Sequence, residues 1–293
     1  MPHDQTVYKL GEVSVRRVGY GAMQLPRLAD EPARARALLR RAVELGVNHV
    51  DTAQFYGGGV SNRLIAEEIH PDDGVVVVTK VGVEGDPDNP ARIRAAQRPE
   101  QLRASVEQNL RALGVDRLAL VNLRRMEDGG RVPVPADQVV DLDEQLAEMI
   151  AMRDEGLIGG IGLSNVSLEE VTRALPTGIA CVQNAYSLVA RADDDIVDLC
   201  VAEDIAWVPY FPLGGAFPGM PKVVDAPAVR VIAQELGVEP AQVGLAWLLH
   251  RAPNVLLIPG TSSITHLEEN VRAVSIELDE AALTALGAVY SPR

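Results

Sequence analysis

Eight short apolar runs, helical segments between them and a length of 293 residues predict an α/β fold in which eight parallel strands close into a (β/α)8 TIM barrel. The runs are RVGYG (17–21), VNHVD (47–51), VVVVT (75–79), LALVN (118–122), GIGLS (160–164), IACVQ (179–183), AWVPY (206–210) and VLLI (255–258). Between them, ARARALLRRAVELG (33–46), PEQLRASVEQNLRALG (99–114) and LDEQLAEMIAMRDEG (142–156) repeat apolar residues three and four apart, and each stops at a glycine. An open doubly wound sheet uses the same alternation, but its GxGxxG turn is absent after the first strand. With 47% hydrophobic and only 4% aromatic residues, the core must be aliphatic, as suits strands buried on both faces.

Ahead of the first barrel strand, Tyr8 to Val15 reads as a small hairpin turning at Gly11 and Glu12, a lid or plug. Right-handed crossovers then place every strand C-terminus on one face. Asp51, Lys80, Asn122, Ser164, Asn165, Gln183 and Tyr210 sit at those ends and aim at one mouth. The Gly- and Pro-rich stretches 81–98, 124–140 and 211–225 follow strands three, four and seven as loops of the N-terminal hairpin-capped barrel's C-terminal face, the walls of a substrate pocket. No internal boundary or repeat interrupts the pattern, so 1–293 reads as one domain.

A formal charge of −14 argues against nucleic acid or an anionic membrane as partner and leaves a small molecule. A phosphorylated cofactor is still compatible, because a helix N-terminus attracts phosphate without changing net charge. Cys181 and Cys200 have no CxxC or zinc-type spacing and are expected to pack; no metal site is expected. No basic-then-apolar leader and no membrane-length apolar run occurs, so a cytoplasmic protein is expected.

The strongest chemistry lies at strands two and three. DTAQFYGGG (51–59) puts Asp51 at a strand end and Tyr56 one turn on, while VVVVTK puts Lys80 at the next strand end. A tyrosine, ordinarily titrating near pH 10, becomes a useful acid or base when an ammonium stabilises its phenolate, and Asp51 would keep that ammonium charged. The same residues also suit a packing tyrosine beside a structural ion pair. His49, inside strand two, is expected to be a hydrogen-bonded core group, Trp247 to lie on a buried helix face, and His3, His70 and His250 form no constellation.

GYGAMQL (19–25), GVNHVDTAQFYG (46–57), VVTK (77–80), GLSN (162–165), VQNAYSL (182–188), YFPLGG (210–215), IPGTSS (258–263) and HLEEN (266–270) occur together in this order. By this set the chain resembles the aldo-keto reductases over essentially its whole length. The resemblance implies that Asp51, Tyr56 and Lys80 are three of four catalytic residues, with Tyr56 the proton donor in carbonyl reduction. The fourth is usually a histidine ending strand four; here VNLRRM places Arg124 there. Arg124 can donate to a carbonyl or an anionic substituent but does not titrate as histidine does. The alternative is that it points outward or pairs with Glu127 or Asp128.

The resemblance further implies NADP (NADPH) as cofactor. Ser164, Asn165 and Gln183 would bind the nicotinamide carboxamide and Tyr210 would stack on the ring, followed by Pro212, Leu213 and Gly214. Gly260, Thr261, Ser262 and Ser263 would cradle the 2'-phosphoribose, with His266 where the family often has arginine and Glu269 and Asn270 at the adenine. Gly260 stands where many relatives have lysine, which weakens the NADP preference; a plain helix cap by Thr261 or Ser263 is the other reading of that turn. Within the family the motifs are most similar to the pyridoxal reductase branch, implying reduction of pyridoxal to pyridoxine. The alternatives are a general aldehyde or ketone reductase acting on a sugar or secondary metabolite, and a non-enzymatic nicotinamide-binding subunit.

Overall fold

The computed structural model describes residues 6–89, 91–126, 132–215 and 219–290. Strands β1 (Val7–Leu10) and β2 (Val13–Arg16) pair antiparallel around Gly11 and Glu12. Gly11 has φ +62°, a conformation that a side chain would strain. Leu10 and Val15 pack onto Val78, Leu120, Cys181, Ala206, Val208, Leu256 and Ile258. The hairpin is therefore a plug. It closes the end where strands begin, as its neighbours Ala119, Gly160 and Ile179 show.

The barrel strands are β3 (Tyr20–Gly21), β4 (His49–Asp51), β5 (Val76–Gly85), β7 (Leu120–Arg124), β8 (Ile161–Ser164), β9 (Cys181–Gln183) and β10 (Ala206–Trp207), with β6 (Ile93–Ala96) beside β5. They run in parallel in the order β3-β4-β5-β7-β8-β9-β10. The eighth run closes the ring: Val255 bridges Trp207 on one side and Leu257 bridges Val18 on the other, both parallel. Leu256 N–H donates to the Trp207 carbonyl and Gly19 N–H to the Leu257 carbonyl, each at 2.8 Å.

Three strand expectations need correction. Residues 255–258 make one bridge to each neighbour rather than a longer strand, although Leu256 and Leu257 N–H donate to the Trp207 and Arg17 carbonyls; Pro259, with no N–H, ends the run. The runs at 17–21 and 206–210 shorten to two residues, although Val208 and Tyr210 N–H still reach the Val182 and Asn184 carbonyls at 2.8 and 3.0 Å. Finally, 81–98 is not simply a loop. The alternation after Lys80 carries β5 on to Gly85, and β6 folds back antiparallel upon it. Gly82 allows this with φ +95°, since a Cβ there would lie 2.2 Å from the Arg124 carbonyl oxygen.

The helices are α1 (Pro32–Glu44), α2 (Val60–Glu68), α3 (Pro99–Leu113), α4 (Leu142–Asp154), α5 (Leu168–Ala174), α6 (Asp194–Ala202), α7 (Pro227–Leu236), α8 (Pro240–Arg251), α9 (Ile264–Arg272) and α10 (Glu280–Gly287). Their apolar stripes, such as Ala35, Leu38, Leu39 and Ala42 of α1, are buried. Trp247 of α8 is likewise buried. Arg17 locks the closure of the ring. Its guanidinium donates to the Val255 carbonyl at 3.1 Å and to the Leu249 and Ala252 carbonyls at 2.7 Å, satisfying groups that the end of α8 leaves open.

Side chains two apart on a strand share a face, so His49 lies beneath Asp51, Asn122 beneath Arg124, and Cys181 beneath Gln183. Two glycines make room for this layer. A Cβ on Gly19 would meet His49 Nε2 at 2.3 Å, and one on Gly162 would meet Asn122 Oδ1 at 2.1 Å. Cys181 Sγ donates to Asn122 Oδ1 at 3.1 Å, whereas both His49 ring nitrogens lack a partner among the described residues. His49 is thus a core group, as expected, its ring set against the Leu257 backbone, whose carbonyl also accepts from Gly19. Burial drives its pKa down to about 4, with Leu257 only a minor counterweight. Cys200 is also buried, and its thiol is pushed up to about 12 by desolvation.

Candidate active site

The deep end of the mouth is built by β4 and β5. Lys80 Nζ donates to Asp51 Oδ1 at 2.5 Å and to the Thr52 carbonyl at 3.0 Å, while Gln183 Nε2 donates to Asp51 Oδ2 at 2.9 Å. Both charged side chains are almost fully buried, 3% and 5% exposed, so neither charge can be left without the other. Burial works against the Lys80 charge, yet Asp51 and then Tyr56 outweigh it and hold the ammonium above the ordinary lysine range.

Tyr56 is delivered by the turn after β4, closed by its N–H on the Ala53 carbonyl at 3.0 Å. Gly57, Gly58 and Gly59 follow at φ +61°, +63° and +93°, reversing the chain sharply into α2. Lys80 Nζ lies 5.1 Å from the centre of the Tyr56 ring. The expected dominance of this ammonium is corrected: burial prevails, reinforced by Asp51 and opposed by Lys80 and Arg124, so the phenol's pKa is raised. In this state Tyr56 holds its proton firmly.

Arg124 ends β7 in register with Ser164. Its Nη1 donates to Ser164 Oγ at 3.4 Å, and its guanidinium carbon lies 5.1 Å from the Tyr210 ring centre. Arg124 has no carboxylate partner among the described residues; Glu127 and Asp128 lie outside them. The half-buried cation leans over the mouth rather than outward.

Asn165 follows at φ +59°, which asparagine tolerates, and its side chain is engaged at both ends. Its Nδ2 donates to the Arg125 carbonyl at 2.9 Å, and its Oδ1 accepts from the Tyr210 hydroxyl at 3.1 Å, which orients that ring. Gln183 Oε1, by contrast, is buried and unpartnered among the described residues. From Asp51 and Tyr56 a cleft of about 560 Å³ runs past Tyr210, Pro212, Leu213 and Gly214 to Gly260, Thr261, His266, Glu269 and Asn270. Lys80, Arg124, Ser164, Asn165 and Gln183 support its inner end without bounding it.

At the far end, Ser262 and Ser263 do not bound the cleft either. Ser263 caps α9, its Oγ accepting from His266 N–H at 3.4 Å, and Thr261 Oγ1 accepts from Ser263 N–H at 3.0 Å. The capping reading of this turn is therefore realised, while the helix N-terminus still faces the cleft through His266. Sequence reasoning missed Gly21, Met23, Gln24 and Arg27 on one wall and Glu239 to Ala241 on the other. The first group sits in and just after GYGAMQL, a motif whose glycine was the available signal. Gly21 and Gly260 bring two backbones together, since a Cβ on Gly21 would lie 2.4 Å from the Ile258 carbonyl oxygen.

A buried amide oxygen without a partner, an oriented aromatic ring and a helix N-terminus at the far end are the donor set for an amide-bearing flat ring joined to a phosphate. Among the described residues no group of His, Cys, Asp and Glu is placed to hold a metal ion, and no helix is long and apolar enough to cross a membrane.

Comparison with known proteins agrees with this arrangement. Pyridoxine 4-dehydrogenase of Escherichia coli (strain K12) is 42% identical over 289 residues, 96% of this chain and 97% of that protein. An uncharacterized oxidoreductase of Schizosaccharomyces pombe is 34% identical, over 95% of this chain and 88% of its own. Among solved structures, an aldo-keto reductase from Klebsiella pneumoniae in complex with NADPH superposes with a TM-score of 0.81 at 26% identity, covering 98% of this chain and 96% of that one. The model of the aldo/keto reductase family matches residues 17–291. Barrel, buried ion pair, tyrosine and matched sequence together make this chain an oxidoreductase of the aldo/keto reductase family.

Proposed function

We propose that the protein reduces an aldehyde to an alcohol with NADPH, and that pyridoxal, reduced to pyridoxine, is its substrate. The observation that carries the reading is the buried Asp51–Lys80 pair beside a tyrosine that keeps its proton, at the inner end of a cleft shaped for a dinucleotide. The relative from Escherichia coli, a pyridoxine 4-dehydrogenase, supports the substrate.

Bound NADPH supplies the hydride. Tyr56 donates its proton to the carbonyl oxygen as charge develops there, and Lys80 stabilises the phenolate left behind. Asp51 keeps Lys80 charged and, held by Gln183, keeps it aimed. Arg124 donates to the same carbonyl oxygen. Gln183 Oε1 would accept from the carboxamide and Ser164 would donate to it, while Asn165 orients Tyr210, whose ring would support the nicotinamide. Pro212, Leu213 and Gly214 would line the middle of the dinucleotide; Gly260, Thr261 and His266 would hold the 2'-phosphate end, with Ser262 and Ser263 shaping the turn behind them, and Glu269 and Asn270 would hold the adenine.

Purified protein with NADPH and pyridoxal tests the reading directly. Turnover should fall by roughly a hundred-fold or more in Tyr56→Phe, the loss typical of a positioned acid, with NADPH affinity retained. Parent-like turnover in that variant would remove Tyr56 from the chemistry.

A further inference from the structure

Beside the inner end of the cleft, over the Tyr210 ring that bounds it, stands an excess positive charge. Lys80 is matched by Asp51, but Arg124 faces no carboxylate among the described residues. A guanidinium has five N–H donors; one of these reaches Ser164 Oγ, and Arg124 makes no other hydrogen bond among the described residues. A half-buried cation with unused parallel donors is suited to a planar pair of oxygens of which one is negative. A lone carbonyl would use one N–H and leave the charge unmatched.

We infer that Arg124 is a specificity residue selecting aromatic aldehydes that carry an ionised oxygen on the ring carbon beside the formyl group. The inference rests on the reductase reading above. When such a hydroxyl is neutral, its hydrogen closes internally onto the carbonyl. Once ionised, both oxygens become coplanar acceptors on one edge of the ring, matching the Arg124 fork.

Aromatic walls favour a flat ring between the oxygens and the nicotinamide site. Tyr56 stands edge-to-face with Phe55 at 5.0 Å, and Tyr56 and Phe211 bound the cleft on either side of the Tyr210 ring that would carry the nicotinamide. A 2-oxo acid also presents paired oxygens but leaves these rings uncontacted. In the reaction, hydride forms the new C–H bond at the formyl carbon. The C=O π pair moves to the oxygen, which takes the Tyr56 proton. The neighbouring oxyanion is unchanged and stays matched to Arg124, so the residue acts by holding and orienting the substrate.

The test is the ratio of kcat/KM for 3-hydroxypyridine-4-carbaldehyde to that for its 3-methoxy analogue, with NADPH, in the parent, Arg124→Met and Arg124→Lys. A ratio taken within one variant is insensitive to the fraction folded. The parent ratio should be roughly 30-fold or higher, the scale of a hydrogen-bonded charge. It should fall to within about three-fold in Arg124→Met and be intermediate in Arg124→Lys, which keeps the charge but not the fork. A parent that reduces both aldehydes equally well, or an undiminished ratio in Arg124→Met, overturns the inference and leaves the reductase reading standing. Preference for pyruvate over the hydroxy-aldehyde overturns the substrate class. Failure of the parent to oxidise NADPH with any of these carbonyls overturns the reductase reading itself.

Discussion

Acidifying the protein from about pH 7.5 to about pH 5 should remove about 2 kcal/mol of folding stability through His49 alone, and His49→Phe should abolish that portion. The magnitude follows from the barrel interior. His49 is 1% exposed, neither ring nitrogen has a partner among the described residues, and burial lowers its pKa from 6.5 to about 4. Between those values the unfolded chain binds a proton that the folded chain refuses, so folding loses free energy as pH falls through 6.5, with the loss complete below about 4. The total is about 3 kcal/mol, of which roughly two-thirds is lost by about pH 5.

Phenylalanine retains a flat ring for the slot opened by Gly19 but does not titrate. Urea unfolding followed by tryptophan emission is the assay, because Trp207 and Trp247 are both buried. Other groups titrate alike in both proteins, so the difference between the two stability-versus-pH curves isolates His49. Parallel curves across this interval would show that the folded protein accommodates the imidazolium and that the layer beneath Asp51 is not dry.

Lys80→Met should cost about 3–5 kcal/mol of stability besides abolishing turnover, because it strands the buried Asp51 carboxylate. Asp51→Asn in the same chain should restore most of the melting temperature but none of the activity; a single variant as stable as the parent would mean that the pair is solvated. NADPH should bind about tenfold tighter than NADH, the modest scale of phosphate at a helix N-terminus near His266, and the margin should shrink with salt. Fluorescence titration of both cofactors at two ionic strengths checks this, and equal affinities would mean the Thr261 turn serves only to cap α9.

What was legible in the sequence was whatever repeats or stands at a strand end. Period-three-and-four stripes located α1, α3 and α4 to within two residues, and strand-end positions brought Asp51, Lys80, Ser164 and Gln183 to one mouth. Closure was less legible. Residues 255–258 read as a strand because they are apolar, but apolarity reports burial and does not count ladder bonds. The β5–β6 extension was hidden by Gly82, Gly85 and the Pro- and Asp-rich turn after it, which carry the composition of a loop. The polar layer of His49 and Asn122 was invisible for another reason: only the three-dimensional packing shows that Gly19 and Gly162 vacate the space those side chains fill.

Arg124, which stands where the resembled family usually has histidine, enters the electrostatic balance at Tyr56. Burial and Asp51 raise the phenol's pKa, while Lys80 and Arg124 lower it. A neutral imidazole at the Arg124 position would contribute a donor but no permanent charge, leaving Lys80 as the sole opposing cation. With arginine, two cations act on the phenol and one is already matched by Asp51. An anionic substrate that neutralises Arg124 therefore removes one influence that lowers the Tyr56 pKa and adds a negative charge beside the phenol. On the proposed function, both effects would keep the proton on Tyr56 until negative charge develops on the carbonyl oxygen, so substrate binding and proton retention would be coupled through the same guanidinium.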